Sequence, residues 1–292
     1  MNRIFAVVAS LVLATGVSAE EVNRTIDAAA DGRIEVSNIS GDVEIRGWSR
    51  NQVDISADLG SDVKELIFER KGNQVLIKVE VPRKSSRNIA SDLVIHVPEK
   101  SSVKVSTVSA DITIEDVTGS QTLVTVSGDI ETQAYTADVE AETVSGDIDI
   151  QGDGKELNVR ANTVSGDIDI QQVNGEASAS TVSGDIQLVY GEFDRVRMNT
   201  TNGDMIFQAQ LNDGGRFSAE TINGRVEVDF NGRLSAKVEV ETFNGSIRNC
   251  FGPEAVRTSK YAPGRELNFT EGGGDGWVTI KTLNGDVNIC NK

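Results

Sequence analysis

Two cysteines, one histidine and a set of evenly spaced aspartates are the side chains whose types and spacing could do chemistry in this chain of 292 residues. Cys250 lies five residues after Gly245 and Cys290 five after Gly285, so both hold the same place in two copies of one local pattern. Asp129, Asp147, Asp167 and Asp185 each follow a glycine, at separations of 18, 20 and 18 residues. His96 has the parity opposite to Leu93, Ile95 and Val97, which reads as the outer side of a strand and not as a general base. A single histidine and two cysteines exclude a zinc cluster of Cys and His and any site that needs two imidazoles. The sequence contains no nucleophile elbow, no His-Glu-x-x-His and no Walker loop. Gly272–Asp275 is glycine-rich but lacks the strand-to-helix context of a phosphate cradle.

The pattern that spaces these residues is an internal repeat. Thr-Val-Ser-Gly-Asp-Ile occurs at 125–130, 143–148, 163–168 and 181–186, with a variant at 107–112 and drifting copies at 200–205, 221–226, 242–247 and 282–287. A degenerate copy stands at 38–43. Its glycines are Gly41, Gly128, Gly146, Gly166, Gly184, Gly203, Gly224, Gly245 and Gly285, with Ala110 in the same position once. Most copies are 18–21 residues apart. The flanking sequence alternates with period 2, which is the strand period. Val139, Ala141 and Thr143 share one parity before a glycine, and Ile148 and Ile150 share the other parity after it. The inward side therefore flips within Val-Ser-Gly, and such a flip needs a corner. Glycine is expected there for positive φ, with Ser or Asn adding local hydrogen bonds. From residue 202 onward Asn precedes the glycine, so stacked coils should form an asparagine ladder.

Repetition of one corner at a fixed spacing predicts an all-β chain, a right-handed parallel β-helix, or β-solenoid, of about 18–21 residues per coil. A sandwich or an up-and-down barrel would also show many short strands, but neither needs the same hexapeptide at every corner. Residues 20–100 carry irregular strand-like runs and read as an N-terminal β cap region or an irregular first part of the stack, with a hairpin turn at Gly72-Asn73. Residues 101–292 form the solenoid proper, and 251–276 is a loop inserted in it. If that loop is an insertion, the two cysteines lie on adjacent coils about 4.8 Å apart, within reach of a disulfide.

The aspartates then form outward columns, with Glu131, Asp149 and Asp169 as a second one. Three readings follow: a solvated face that keeps the rod soluble, a ridge that coordinates Ca²⁺ through Asp129, Asp147, Asp167 and Asp185, or a docking surface for a basic partner. No other metal ligand set and no cofactor is indicated.

Residues 1–19 read as a secretory signal peptide: Arg3, an apolar run at 4–14, and small residues at Val17 and Ala19 before a cleavage site. After cleavage no apolar run is long enough to span a bilayer, so the expected compartment is extracytoplasmic, in the periplasm or at the cell surface, or secreted. The formal net charge of −17 argues against nucleic acid and against anionic membranes as partners.

The repeated TVSGDI corner, the ISGDVEIRGW segment at 39–48 and the strand ending in Val97-Pro98 resemble the bacterial putative-adhesin family, a β-solenoid domain of unknown function. The resemblance covers about residues 34–290 and supplies no catalytic residues. It implies a non-catalytic, adhesin-like or structural interaction module of the bacterial envelope, with a protein or glycan partner. The alternative is a carbohydrate-active enzyme, a polysaccharide lyase or hydrolase on the same scaffold. A group of carboxylates outside the repeat register, in a groove beside 251–276, would favour that alternative.

Overall fold

The computed structural model describes residues 20–83 and 87–291. The signal-peptide assignment at 1–19 lies outside these residues. The described chain is all-β, with no helix, and its strands join one large sheet that folds into a solenoid-like stack. No helix among the described residues is long and apolar enough to cross a membrane.

Each coil contributes two strands that meet at a repeat corner. Gln121–Val124 and Ile130–Ala134 flank Gly128; Val139–Glu142 and Ile148–Gly152 flank Gly146. Strands before the corner pair in parallel with their counterparts, as Val139↔Val159 and Ala141↔Ala161. Strands after it do the same, as Ile148↔Ile168 and Ile150↔Ile170. The period-2 pattern puts Val139, Ala141, Ile148 and Ile150 inside, each almost fully buried. Identical side chains thus stack in columns, and this gives the core its depth without large residues. From the coil of Gly184 onward the columns widen to aromatics: Phe207 lies 4.8 Å from Phe217 and 5.6 Å from Phe230 between ring centroids.

The chain does not stack its coils in sequence order at either end. Arg33–Ser37 pairs in parallel with both Gln74–Glu80 and Ser102–Ser106. The coil of residues 74–98 therefore lies outside the coil of residues 33–48, although it follows it in sequence. Antiparallel strands close that end: Glu65–Lys71 on Gln74–Glu80, and Glu20–Asp27 on Gln52–Leu59, which lies in turn on Ser91–Pro98. The turn between Lys71 and Gln74 has Gly72 at φ 63°, as a tight hairpin requires. Residues 33–48 and 74–98 belong to the columns of the stack, and the antiparallel strands cover its open edge.

The other end mirrors this. The last coil, Gly276–Asn284 with Val287–Asn291, pairs on one side with the coil of Gly224 and on the other with Ala236–Asn244. The spatial order is thus Gly203, Gly224, Gly285, Gly245. Residues 251–276 are not only a loop leaving the coil, as expected from two prolines and a glycine cluster. They contain Arg265–Glu271, antiparallel to Ala236–Asn244, and Val256–Arg257 beyond it. This segment covers the exposed edge of the outermost coil and then returns the chain to fill the gap inside it.

Candidate functional site

The corner is built from four ladders, made by the Thr, Ser or Asn, Gly and Asp positions of the six-residue repeat. Threonine points inward, and Thr143, Thr163, Thr181 and Thr200 each donate to the carbonyl of the preceding coil's glycine at 3.2 Å. Next in the hexapeptide comes an exposed apolar residue, described below. Ser127, Ser145, Ser165, Ser183, Asn202 and Asn223 then bridge coil to coil in parallel. The expected asparagine ladder is present in the spatial order: Asn223 donates to Asn202, Asn284 to Asn223, and Asn244 to Asn284, each at 2.8 Å.

Glycine follows, and the structure corrects the reason for it. Of the nine corner glycines only Gly41, at φ 103°, lies well inside the left-handed region; Gly184 and Gly224, at 158° and 157°, are at the extended edge. The requirement is close approach. A Cβ on Gly146, Gly166, Gly203, Gly245 or Gly285 would fall far inside contact distance of the neighbouring coil's glycine carbonyl. Ala110 is accommodated because its register partner is Gly41, where the backbone departs from the repeat.

The aspartate ladder is equally structural. Asp129 Oδ1 accepts the backbone N–H of Asp147 at 2.9 Å, Asp147 that of Asp167 at 2.8 Å, and Asp167 that of Asp185 at 2.7 Å. Asp185 accepts from Asp204, and Asp204 from Arg225, both at 2.7 Å. The four candidate calcium ligands Asp129, Asp147, Asp167 and Asp185 therefore lie one per coil, each with one oxygen committed to the next coil. Among the described residues no three His, Cys, Asp or Glu side chains converge as a metal cage would require. At the end of the column Ser246 donates to Asp286 from both its backbone N–H and its hydroxyl, and these bonds hold the Asp286 carboxyl below its ordinary pKa. In the second column burial, and then the charge of Asp169, raise the pKa of Asp149; burial also raises that of Asp169.

Cys250 and Cys290 are joined in a disulfide, with Cα atoms 4.8 Å apart. They link the outermost coil to the last coil inserted beneath it. His96 is half-buried on the outside of its strand and packs on Trp48, with ring centroids 5.1 Å apart. One hollow beside 251–276 is lined by Asn244, Arg257, Lys260, Tyr261, Pro263 and Arg265, without a carboxylate, and a second includes Asp275.

Two surface features escaped the sequence reading. The residue between Thr and Ser in each corner points outward, so Val108, Val126, Val144, Val164, Val182, Ile222, Leu283 and Phe243 form one apolar ridge. Each of the eight remains 43–48% exposed, and only Thr201 interrupts them. The parity flip already implied this: if Thr is inside, its neighbour is outside. The second feature is a groove across the strands before the corner, which gathers Arg160, Arg195, Arg197 and Arg216 with Asp138, Glu140 and Glu176.

The chain is thus a solenoid-like stack of recurring corners, covered at both ends by antiparallel strands. Residues 32–290 match the Toastrack DUF4097 family model, and the chain belongs to this family. Solved structures show the same fold at low identity. A putative adhesin from Parabacteroides distasonis is 12% identical, with a TM-score of 0.51 over 93% of this chain and 98% of that one. A putative adhesin from Parabacteroides merdae is 10% identical, also with a TM-score of 0.51, over 94% and 96%. No curated protein matches the chain.

Proposed function

We propose that this protein is an exported, non-catalytic interaction module of the bacterial envelope, adhesin-like in use, whose right-handed stack presents long ordered faces to an extended partner. The observation that carries this reading is the apolar ridge. Eight half-exposed aliphatic or aromatic side chains stand in one column, the kind of apolar strip that marks interaction surfaces. The inter-coil hydrogen bonds of the corner are made by the threonine, serine, glycine and aspartate and do not call for valine there. An apolar line broken only at Thr201, beside a row of carboxylates, suits a strand-like or chain-like partner that touches many coils at once.

Three further observations support the reading. The disulfide suits an oxidising compartment. Two fold neighbours of comparable length carry the name putative adhesin. The regularly placed aspartates are bound one per coil into the inter-coil ladder and not gathered in a pair, which supports a non-catalytic reading of that column.

The test is co-sedimentation with isolated bacterial envelopes. Wild-type protein should sediment with them, and a variant with Val126, Val144, Val164 and Val182 changed to serine should stay in the supernatant while melting within a few degrees of wild type. Equal sedimentation of both proteins would contradict a role for the ridge. Turnover of envelope polysaccharide would contradict the non-catalytic reading.

A further inference from the structure

We propose that the groove bounded by Arg197, Arg216, Lys237 and Trp277 binds an acidic polysaccharide, a chain of sugar rings carrying uronate carboxylates. This deepens the reading above by naming a ligand class for a second face, and it rests on the protein being a binding module.

The groove follows from register. Glu176 pairs with Arg195, Arg195 with Arg216, Arg216 with Trp277, and Trp277 with Lys237, one residue from each of five adjacent strands. The neighbouring outward column runs Glu140, Arg160, Ser178, Arg197, Ser218, Thr279. Arg160, Arg195 and Lys281 on this face each meet an acid on an adjacent coil. Arg160 lies 3.8 Å from Glu140, Arg195 2.9 Å from Glu176, and Lys281 3.5 Å from Glu241. Arg197 and Arg216 have no such acid beside them. Their column neighbours are serines, another arginine and a tryptophan, and neither guanidinium has a carboxylate partner among the described residues. They line a hollow of about 470 Å³ in which Arg195, Arg197, Arg216 and Lys237 stand against Asp275 as the one acid. In a chain of net charge −17 such a cationic pocket is an exception that stability alone would not select.

Its chemistry is selective. A guanidinium presents a planar fork that takes a carboxylate through two parallel hydrogen bonds. Trp277 is 48% exposed and offers a flat apolar surface to the C–H face of a pyranose ring. Lys237 Nζ, 6.0 Å from the Trp277 ring centroid, adds charge at the same end. Coils rise about 4.8 Å, close to the length of one sugar unit in an extended chain, so successive rings can meet successive coils. The hollow shares Arg195, Arg197 and Arg216 with a longer groove toward Arg160, where Asp138, Glu140 and Glu176 also stand, so the cationic end by Trp277 is the one that takes the uronate. Densely charged polyphosphates fit less well, because Glu176, Asp194 and Asp213 rim the pocket.

The experiment is calorimetric titration of the full mature protein with a size-defined oligogalacturonate, its methyl-esterified form, polyphosphate and phosphatidylglycerol vesicles. Oligogalacturonate should bind in a salt-dependent manner, and the esterified form about tenfold more weakly or worse. Arg197→Gln with Arg216→Gln should weaken oligogalacturonate binding about tenfold or more at an unchanged melting temperature. Trp277→Ala should weaken it without altering the salt dependence, and this exposed position keeps the test open if the double variant misfolds. Equal binding of the esterified chain, wild-type binding by either variant, or binding of polyphosphate or vesicles alone would overturn the proposal. Ultraviolet absorbance from unsaturated uronides would contradict the non-catalytic reading and leave the groove assignment standing.

Discussion

A glycine at the corner is demanded by the carbonyl beneath it, and this makes a specific mutation informative. At Gly166 the φ angle is not in the left-handed region, yet a Cβ would collide with the Gly146 carbonyl. Gly166→Ala should therefore destabilise by about 1–3 kcal/mol, because backbone and not a flexible side chain must give way. Ala110→Gly, where a methyl group already fits, should change stability by well under that. Thermal melts decide the matter, and a Gly166→Ala protein that melts as wild type would remove close approach as the cause. The carboxylates separate by sign. Asp149 has a raised pKa, so its charge is tolerated less well folded than unfolded. Its ionisation subtracts stability above the folded pKa, and acidification toward 3.8 restores it. Asp149→Asn should raise the melting temperature at neutral pH and lose that advantage in acid. Asp286 is lowered, so its contribution is present above 3.8 and disappears as the pH falls through the folded value. Asp286→Asn should lower the melting temperature at neutral pH. Melts of both variants at two pH values test the opposite signs together. Calcium should leave the wild-type melting temperature unchanged, since a carboxylate already bonded to the next coil is a poor start for a cage; a rise of several degrees would restore the metal ridge.

At the scale of the element, the periodicity of single strands was legible and the pairing between ends was not. Val139, Ala141 and Ile148 declare their sides by alternation, and Thr against Ile fixes the corner between them. A strand's alternation carries no information about which neighbour it takes, however. The spacing of 40 between Gly245 and Gly285 is equally compatible with a last coil outside or inside its predecessor. What selects the inner place is the segment Arg265–Glu271, which must run antiparallel on Ala236–Asn244 to cover an open edge. The disulfide fastens this arrangement. Closing a loop of 40 residues restricts the unfolded chain by about 4 kcal/mol in the chain-entropy model. Cys250→Ser with Cys290→Ser should therefore cost a comparable amount and loosen residues 236–291 first. Hydrogen exchange should show faster amide exchange there than in the coils of Gly146 and Gly166, and uniform acceleration along the stack would contradict a local clamp.

For the whole molecule, outward columns are consequences of register, and so are the surfaces assigned to function. The apolar ridge could have been read from the repeat, because every Val of Thr-Val-Ser-Gly has the parity opposite to a buried Thr. The arginine groove could not. Arg197 and Arg216 belong to coils that follow each other in sequence, but Trp277 lies 61 residues beyond Arg216 and reaches it only because the last coil is inserted beneath the coil of Gly245. Both the sealed end and the groove thus depend on the spatial order Gly224, Gly285, Gly245. Paired cysteine substitutions test that order directly, because corner asparagines on adjacent coils lie within disulfide reach and those two coils apart do not. Mild oxidation followed by peptide mapping should link Asn223→Cys to Asn284→Cys efficiently and leave the pair Asn223→Cys with Asn244→Cys unlinked. Linkage of 223 to 244 without linkage of 223 to 284 would contradict the inserted coil, and with it the groove that the insertion builds.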